Sequence, residues 1–205
     1  MGNKIKTLLM SCVIMTLCAA MIVAGTFALW SDSVKVENHL TAGTMSVKLE
    51  RISLTKTYLN NETGKMATTT NTTIVDFSNT NTSNANVFDI ANDEKVVPSS
   101  AYEATLKLSN NGDVAFSYDV IIKLNSNNNA LAEQLEIYVD GTSKGMLSDF
   151  AVDGKAVISK QEMLKNDSAK EFTVKVVFVN DDDVNNDAQN KEVKFDLMVN
   201  AVQLT

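Results

Sequence analysis

Two runs of alternating apolar and polar residues, joined by a short polar segment, constrain the fold of this chain more than any other feature. A period of two residues is typical of strands with one buried face. Between the runs, Asn111-Gly112 supplies residues that readily adopt the positive φ of a tight turn. The pattern therefore predicts a β-hairpin. The apolar positions of its two strands are Tyr102, Ala104, Leu106 and Leu108, then Val114, Phe116, Tyr118, Val120, Ile122 and Leu124.

The same period recurs in other parts of the chain, and Asp140-Gly141 follows one of these segments as a second turn signal. Strands joined by polar turns, without alternating helices, indicate an antiparallel β-sandwich. We therefore predict an all-β fold. The apolar positions of these further strands are Met45, Val47 and Leu49; Leu135, Ile137 and Val139; Phe172, Val174, Val176 and Phe178; and Val193, Phe195, Leu197, Val199 and Ala201.

Two other segments favour short helices. Ser159 is a suitable N-cap, and Glu162 follows it at capping-box spacing, which predicts a helix over residues 159–165. Residues 130–134 predict a further single turn. The predicted fold therefore includes one or two short helices beside its strands.

The N-terminal residues have the pattern of a secretory signal. Two lysines precede an uncharged, mostly apolar run over residues 7–25, and small residues follow at Thr26 and Ala28. This pattern predicts a signal peptide, with a helical apolar run, over residues 1–28. Cleavage would fall between Ala28 and Leu29 and leave a single domain over residues 29–205.

Two alternatives to cleavage at this site stay open. The apolar run nearly reaches the ~20 residues that span a bilayer, so the leader could persist as a membrane anchor. A partial lipobox over residues 9–12 would instead attach a lipid at Cys12. Both cysteines, Cys12 and Cys18, lie in this leader. A mature domain that starts at Leu29 would therefore have neither disulfides nor thiol chemistry.

Three motifs follow one another behind the leader. They occupy residues 25–32 with 40–49, residues 97–98 with 106–113, and residues 193–203. In this order they resemble the TasA/camelysin family of proteins secreted by Gram-positive bacteria. The resemblance implies a jelly-roll-like sandwich, a leader processed by a dedicated ER-type signal peptidase, and self-assembly into fibres of the extracellular biofilm matrix. The expected location is the extracellular matrix or the cell surface, where other matrix proteins are possible partners.

The segment before the first strand, residues 29–43, gives the strongest functional signal. Trp30, Val34, Val36 and Leu40 have the same parity, so they would lie on one face of an extended chain. One interpretation is a first strand of the subunit's own sandwich. The other is a donor strand that completes the sheet of a neighbouring subunit through main-chain hydrogen bonds. The fibres implied by the resemblance favour the donor strand.

Residues 55–93 are rich in Asn and Thr and contain few apolar side chains. Such a segment buries too little apolar surface to fold alone. We therefore predict an extended surface insertion with one or two short strands.

Relatives in the camelysin group are often labelled metalloendopeptidases. A zinc protease usually needs three protein ligands, commonly two histidines on one helical turn. This chain has one histidine, His39, and no H-E-x-x-H motif. We therefore predict a non-enzymatic structural protein without a cofactor. The alternatives are a secreted camelysin-type metalloendopeptidase and a membrane-anchored accessory or anchor subunit of the fibres.

An acidic segment near the C-terminus is a weak candidate for calcium. Its oxygen-bearing residues fall at the spacing of an EF-hand loop: Asp181, Asp183, Asn185, Asp187 and Glu192. Asn186 stands where that loop requires glycine, and the flanking segments are predicted strands. An acidic, solvated loop is the preferred interpretation, so no metal site is predicted.

The charge balance excludes one class of partner. The chain carries 18 Lys and Arg against 25 Asp and Glu, a formal net charge of −7. Nucleic-acid binding needs clustered cations that neutralise phosphates. We therefore predict no nucleic-acid partner. The resemblance implies that further copies of this chain are the main partner.

Overall fold

A computed structural model describes the part of the chain that follows residue 42. The described residues are 43–60, 62–78, 86–90, 96–125, 129–150, 154–181 and 185–204. The predicted signal peptide and its cleavage site at Ala28 and Leu29 lie outside these ranges. Within them, no helix is long and apolar enough to cross a membrane.

The described chain is built almost entirely from strands, which confirms the prediction of an all-β fold. Two 3₁₀ helices, Leu147–Phe150 and Asn185–Ala188, are the short helical elements between them. The strands are β1 (Val47–Asn60), β2 (Lys65–Asn71), β3 (Val75–Asp76), β4 (Ala101–Asn110), β5 (Phe116–Leu124), β6 (Leu135–Val139), β7 (Thr142–Met146), β8 (Lys155–Met163), β9 (Lys170–Phe178) and β10 (Phe195–Gln203).

These strands form two antiparallel sheets. The larger sheet has the order β2-β1-β4-β9-β6-β7, and β3 pairs with β1 beyond the end of β2. The smaller sheet has the order β10-β5-β8. Residues from both sheets contribute to one apolar core. The predicted antiparallel β-sandwich is therefore confirmed.

The core follows from the two-residue period of the sequence. In β5, every second residue is buried and the residues between them are half-buried. In the larger sheet, β4 shows the same alternation, and so does β9 from Phe172 onwards. Each large apolar side chain that is fully buried contributes about 1.5–3 kcal/mol. Burial of the alternate residues is thus the main driving force for the sandwich.

The turn between β6 and β7 has the predicted form. Asp140 and Gly141 have φ values of 48° and 74°, the positive values that a tight hairpin turn requires. Val139 pairs with Thr142 directly across this turn. Residues 130–134 also form a turn, in which the Glu133 amide donates to the Asn129 carbonyl at 3.2 Å.

The predicted hairpin between β4 and β5 is wrong, because the two strands belong to different sheets. Their connecting turn bonds instead to the segment that precedes β1. The amide of Asn111 donates to the Ser46 carbonyl at 2.9 Å, and that of Asp113 donates to the Thr44 carbonyl at 2.7 Å. A Cβ atom at Gly112 would clash with the carbonyl oxygen of Thr44. Glycine is therefore required at position 112 because two chain segments approach closely there, and not because the backbone adopts a positive φ.

The helix predicted over residues 159–165 is also wrong, because most of this segment lies in β8. Pairing with β5 buries Met163 completely and satisfies the backbone, so tertiary structure overrides the local capping pattern. The strand is irregular: Lys160 has a φ of 49°, and its amide donates to the Asp119 carboxylate at 2.8 Å.

The Asn/Thr-rich region over residues 55–93 begins inside a strand. β1 continues past position 55 to Asn60, and β2 returns along it as an antiparallel hairpin, followed by β3. The side chain of Asn60 accepts hydrogen bonds from the amides of Glu62 and Thr63 in the turn. Residues 79–85 and 91–95 lie outside the described chain.

Candidate functional site

The smaller sheet ends in a long, regular edge at β10. This strand pairs with β5 over nine consecutive residues without a bulge. On its other side, no strand of the described chain pairs with it. Alternate N–H and C=O groups of β10 therefore point away from the sheet. An edge of this kind is a template for a strand from another chain.

The inward-facing side chains of β10 are less buried than those of its neighbour. In β5, Val120 and Ile122 are 0% exposed. The corresponding residues of β10 pack against the core but stay half-buried: Phe195, Leu197, Val199 and Ala201. Within the described ranges, the sandwich is therefore incompletely covered along this edge. One more strand beside β10 would bury these side chains further.

The outward face of β10 is also partly apolar. Met198 is 39% exposed and Val202 is 60% exposed. A strand added at this edge would place alternate side chains on both faces of the sheet. Apolar contacts are thus available to it on the outer face as well as on the core face.

Two of the other outer strands are protected against such pairing. β8 shifts its register twice against β5, and Lys155 and Lys160 are exposed along it. β7 has only five residues, shifts its register against β6 and contains Gly145 at a φ of 112°. Bulges, short length and lysines are the usual devices that prevent edge-to-edge association. The edges of β10 and β2 lack register shifts.

A short loop of residues 86–90, the Phe88 loop, packs beside β10. The Phe88 side chain is 3% exposed, and its ring centroid lies 6.0 Å from that of Phe195. Arg51 of β1 is 4% exposed, and its guanidinium donates to the carbonyl of Val87 at 2.7 Å. The buried arginine thus fixes the loop that supports the first residue of β10.

The start of the described chain lies at the end of the sandwich that carries the β4–β5 turn. Val47 of β1 pairs with Asn110, next to that turn. The last residue of β10, Gln203, pairs with Phe116 at the same end. Gly43, the first described residue, therefore lies at the end of the sandwich where β10 finishes.

The residues predicted for a donor strand, Trp30, Val34, Val36 and Leu40, lie outside the described residues. The structure places none of them. It adds instead the β10 edge, which sequence reasoning missed as a site. The alternation of β10 was visible in the sequence, but its position at the edge of a sheet depends on which strands pair.

The calcium candidate is only partly described, since Asp183 lies outside the described residues. Asn185 begins a 3₁₀ helix, and the side chain of Gln189 donates to that of Asn186 at 3.0 Å. The Glu192 carboxylate lies 3.2 Å from the Lys194 ammonium. In the ranges that the structure describes, no group of three or more His, Cys, Asp or Glu residues could hold a metal ion.

Charged side chains at the start of β1 help to hold β3 against β1 and do not form a polar cleft. Lys48 lies 2.7 Å from the Glu50 carboxylate and 3.6 Å from that of Asp76. The hydrogen bond to Glu50 raises the pKa of Lys48, and the backbone amide of Ser78 lowers the pKa of Asp76. These shifts are explained by contacts between neighbouring strands.

Over residues 4–205 the chain matches the family described as camelysin metallo-endopeptidase. The chain belongs to this family. The camelysin family includes the TasA-like proteins, so the resemblance seen in the sequence is confirmed. No curated protein and no solved structure was found to match the chain.

The name of the camelysin family implies a catalytic metal, whereas its TasA-like members are structural. The sole histidine of the chain, His39, lies outside the described residues. The carboxylates that the structure does describe do not gather in groups of three. The described residues thus present no three-ligand site of the kind that a metallopeptidase uses.

Proposed function

We propose that this camelysin-family protein is a secreted structural subunit that polymerises head to tail into fibres of the biofilm matrix. Its location would be the extracellular matrix or cell surface of a Gram-positive bacterium. The observation that carries the proposal is the regular, half-buried edge strand β10. Residues 29–43 of a neighbouring subunit would pair with this edge as a donor strand.

The side chains of the predicted donor strand suit the free edge. Apolar residues of one parity, Trp30, Val34, Val36 and Leu40, would lie over the half-buried inward face of β10. Each large side chain buried in this way contributes about 1.5–3 kcal/mol before the costs of ordering the strand. Main-chain hydrogen bonds along the strand would add affinity and fix the register.

The topology also predicts the direction of the donor strand. The donor segment would extend from Gly43, which lies at the end of the sandwich where β10 finishes. In a stack of equally oriented subunits, it would enter the neighbour at the Phe195 end and run antiparallel to β10. Such a head-to-tail contact does not close on itself, so it propagates as a filament.

Secretion would control this assembly. While the predicted signal peptide is attached, the donor strand is held at the membrane. Cleavage between Ala28 and Leu29 by a dedicated signal peptidase would release the strand to reach a neighbour. The secreted form should therefore start at Leu29, which its intact mass would show.

Cysteine cross-linking tests the proposal directly, because both native cysteines lie in the leader. Fibres of a Val36→Cys, Val199→Cys double variant should give a ladder of oligomers on oxidation. A matched pair with Ser159→Cys on the bulged β8 edge should give none. The antiparallel direction predicts that Leu40→Cys links to Leu197→Cys more readily than to Ala201→Cys.

Deletion of residues 29–40 provides the second test. The truncated protein should remain folded, and electron microscopy should show no fibres. Fibres of unchanged morphology would contradict a donor strand, and an unfolded protein would assign the segment to the subunit's own sandwich. Casein degradation that a chelator abolishes would favour the metalloendopeptidase alternative.

A further inference from the structure

The larger sheet has a second regular edge, at β2. This strand pairs with β1 over seven consecutive residues without a bulge, and no other described strand pairs with it. Six of its seven residues are exposed. The strand contains neither proline nor glycine, and Lys65 at its start is its single charged residue. β2 thus lacks the devices that protect β7 and β8.

Threonine pairs line the outward face of this hairpin. The hydroxyl oxygens of Thr55 and Thr70 lie 3.2 Å apart, and those of Thr57 and Thr68 lie 3.1 Å apart. Threonine favours strands, and cross-strand threonine pairs stabilise neighbouring strands. The free side of β2 offers Thr68 and Thr70 for the same contact with another strand.

We propose that β2 pairs with β2 of a second copy of this chain, antiparallel and around a two-fold axis at Thr68. In this register Thr68 faces Thr68 of the second copy, and Met66 faces Thr70. Lys65 faces Asn71, so no like charges lie opposite each other. The same symmetric pairing at β7 would place Lys144 against Lys144, which like-charge repulsion disfavours.

This contact goes beyond the donor strand, because it uses the other sheet and does not require residues 29–43. It is isologous and closes after two copies, whereas the head-to-tail contact propagates. A single seven-residue edge buries little area and is weak alone. Along a fibre the contact would repeat at every subunit, and its multivalency would join fibres side by side.

A charge exchange at the two-fold axis tests the pairing. Thr68→Lys and Thr68→Glu each place like charges opposite each other, which should weaken each contact about fivefold. Because a fibre repeats the contact at every subunit, the loss of affinity multiplies along the fibre. Electron microscopy should therefore show single fibres in place of side-by-side pairs. An equal mixture of the two variants should restore the pairs. Thr73→Lys, the same change just beyond β2, should leave them intact.

The outcomes separate this proposal from the donor strand. Restored association in the mixture supports it and excludes misfolding, because the mixture contains the same two chains. Side-by-side fibres that persist in Thr68→Lys, or that the mixture does not restore, overturn it. If the full secreted chain forms no fibres, the donor-strand proposal is wrong, but the proposed β2 pairing can still be tested. Sedimentation equilibrium should then show a weak dimer with the same charge dependence, and an unmodified protein that stays monomeric overturns the proposal.

Discussion

The guanidinium of Arg51 donates to the backbone carbonyl of Val87 at 2.7 Å and joins β1 to the Phe88 loop. The arginine is nearly fully buried, and the structure describes no acidic partner for it. It contacts the carbonyl of Asn86 as well, at 3.4 Å. A buried cation thus holds in place the loop that packs beside the β10 edge.

Replacement of Arg51 by Met should destabilise the domain. The change removes the charged donor and leaves the Val87 carbonyl without this partner, which costs about 1.5–3 kcal/mol. Urea unfolding of the purified protein would measure the loss. Lys170→Met, at an exposed position of β9, is the matched control and should change the free energy of unfolding by about 0.5 kcal/mol or less. Equal losses in both variants would contradict the role given to Arg51.

The Phe88 side chain should contribute more to stability than other aromatic residues of its region. Truncation to Ala leaves a cavity against Phe195 and should cost about 3–5 kcal/mol. Phe77 is only half-buried, so Phe77→Ala should cost clearly less. Thermal unfolding of both variants makes the comparison. A larger loss for Phe77→Ala would show that the Phe88 loop does not support the core.

Gly112→Ala should disturb the segment that leads into β1. The new methyl group would meet the backbone of Thr44 and Ser46, which cannot rotate away as a side chain can. Overpacking of this kind costs about 1–3 kcal/mol. Hydrogen exchange at the amides of Asn111 and Asp113 should accelerate as their bonds weaken. At Gly141 a methyl group meets open space, so Gly141→Ala should leave these amides protected despite its local backbone strain.

The contribution of Asp76 to the attachment of β3 should be lost only below pH 3.8. Hydrogen bonds from Ser78 hold the pKa of Asp76 below its ordinary value of 3.8. A lowered pKa means that this stabilisation is fully present above the ordinary value and is lost as pH falls through the lower, folded value. Carboxyl NMR of Asp76 should therefore show titration below pH 3.8. A midpoint at or above that value would contradict the contact.

The acidic segment over residues 181–192 should bind calcium weakly if at all. Asn186 replaces the turn glycine of an EF-hand loop, and Glu192 already pairs with Lys194. Isothermal titration with calcium on the purified protein measures the affinity. Sub-micromolar binding that Asp181→Ala abolishes would show that the loop is a genuine calcium site.

Local patterns predicted the strands and one of the turns. The alternation in β5 and β9 marks their buried faces, because successive side chains of any strand point to opposite sides. Asp140-Gly141 predicted its turn, because the positive φ values there are a property of those two residues. Three short motifs of the sequence also identified the camelysin family.

Strand pairing, by contrast, was decided only by the tertiary structure. β4 and β5 alternate as a hairpin would, yet each finds a better partner elsewhere, and Gly112 serves the close approach of Thr44. Residues 159–163 match a helix start but pair with β5, since burial of Met163 outweighs local propensity. Arg51 and Phe88 are buried by contacts across more than thirty residues of sequence. The free edges of β2 and β10 likewise arise from sheet order, which depends on these long-range contacts and leaves no local pattern in the sequence.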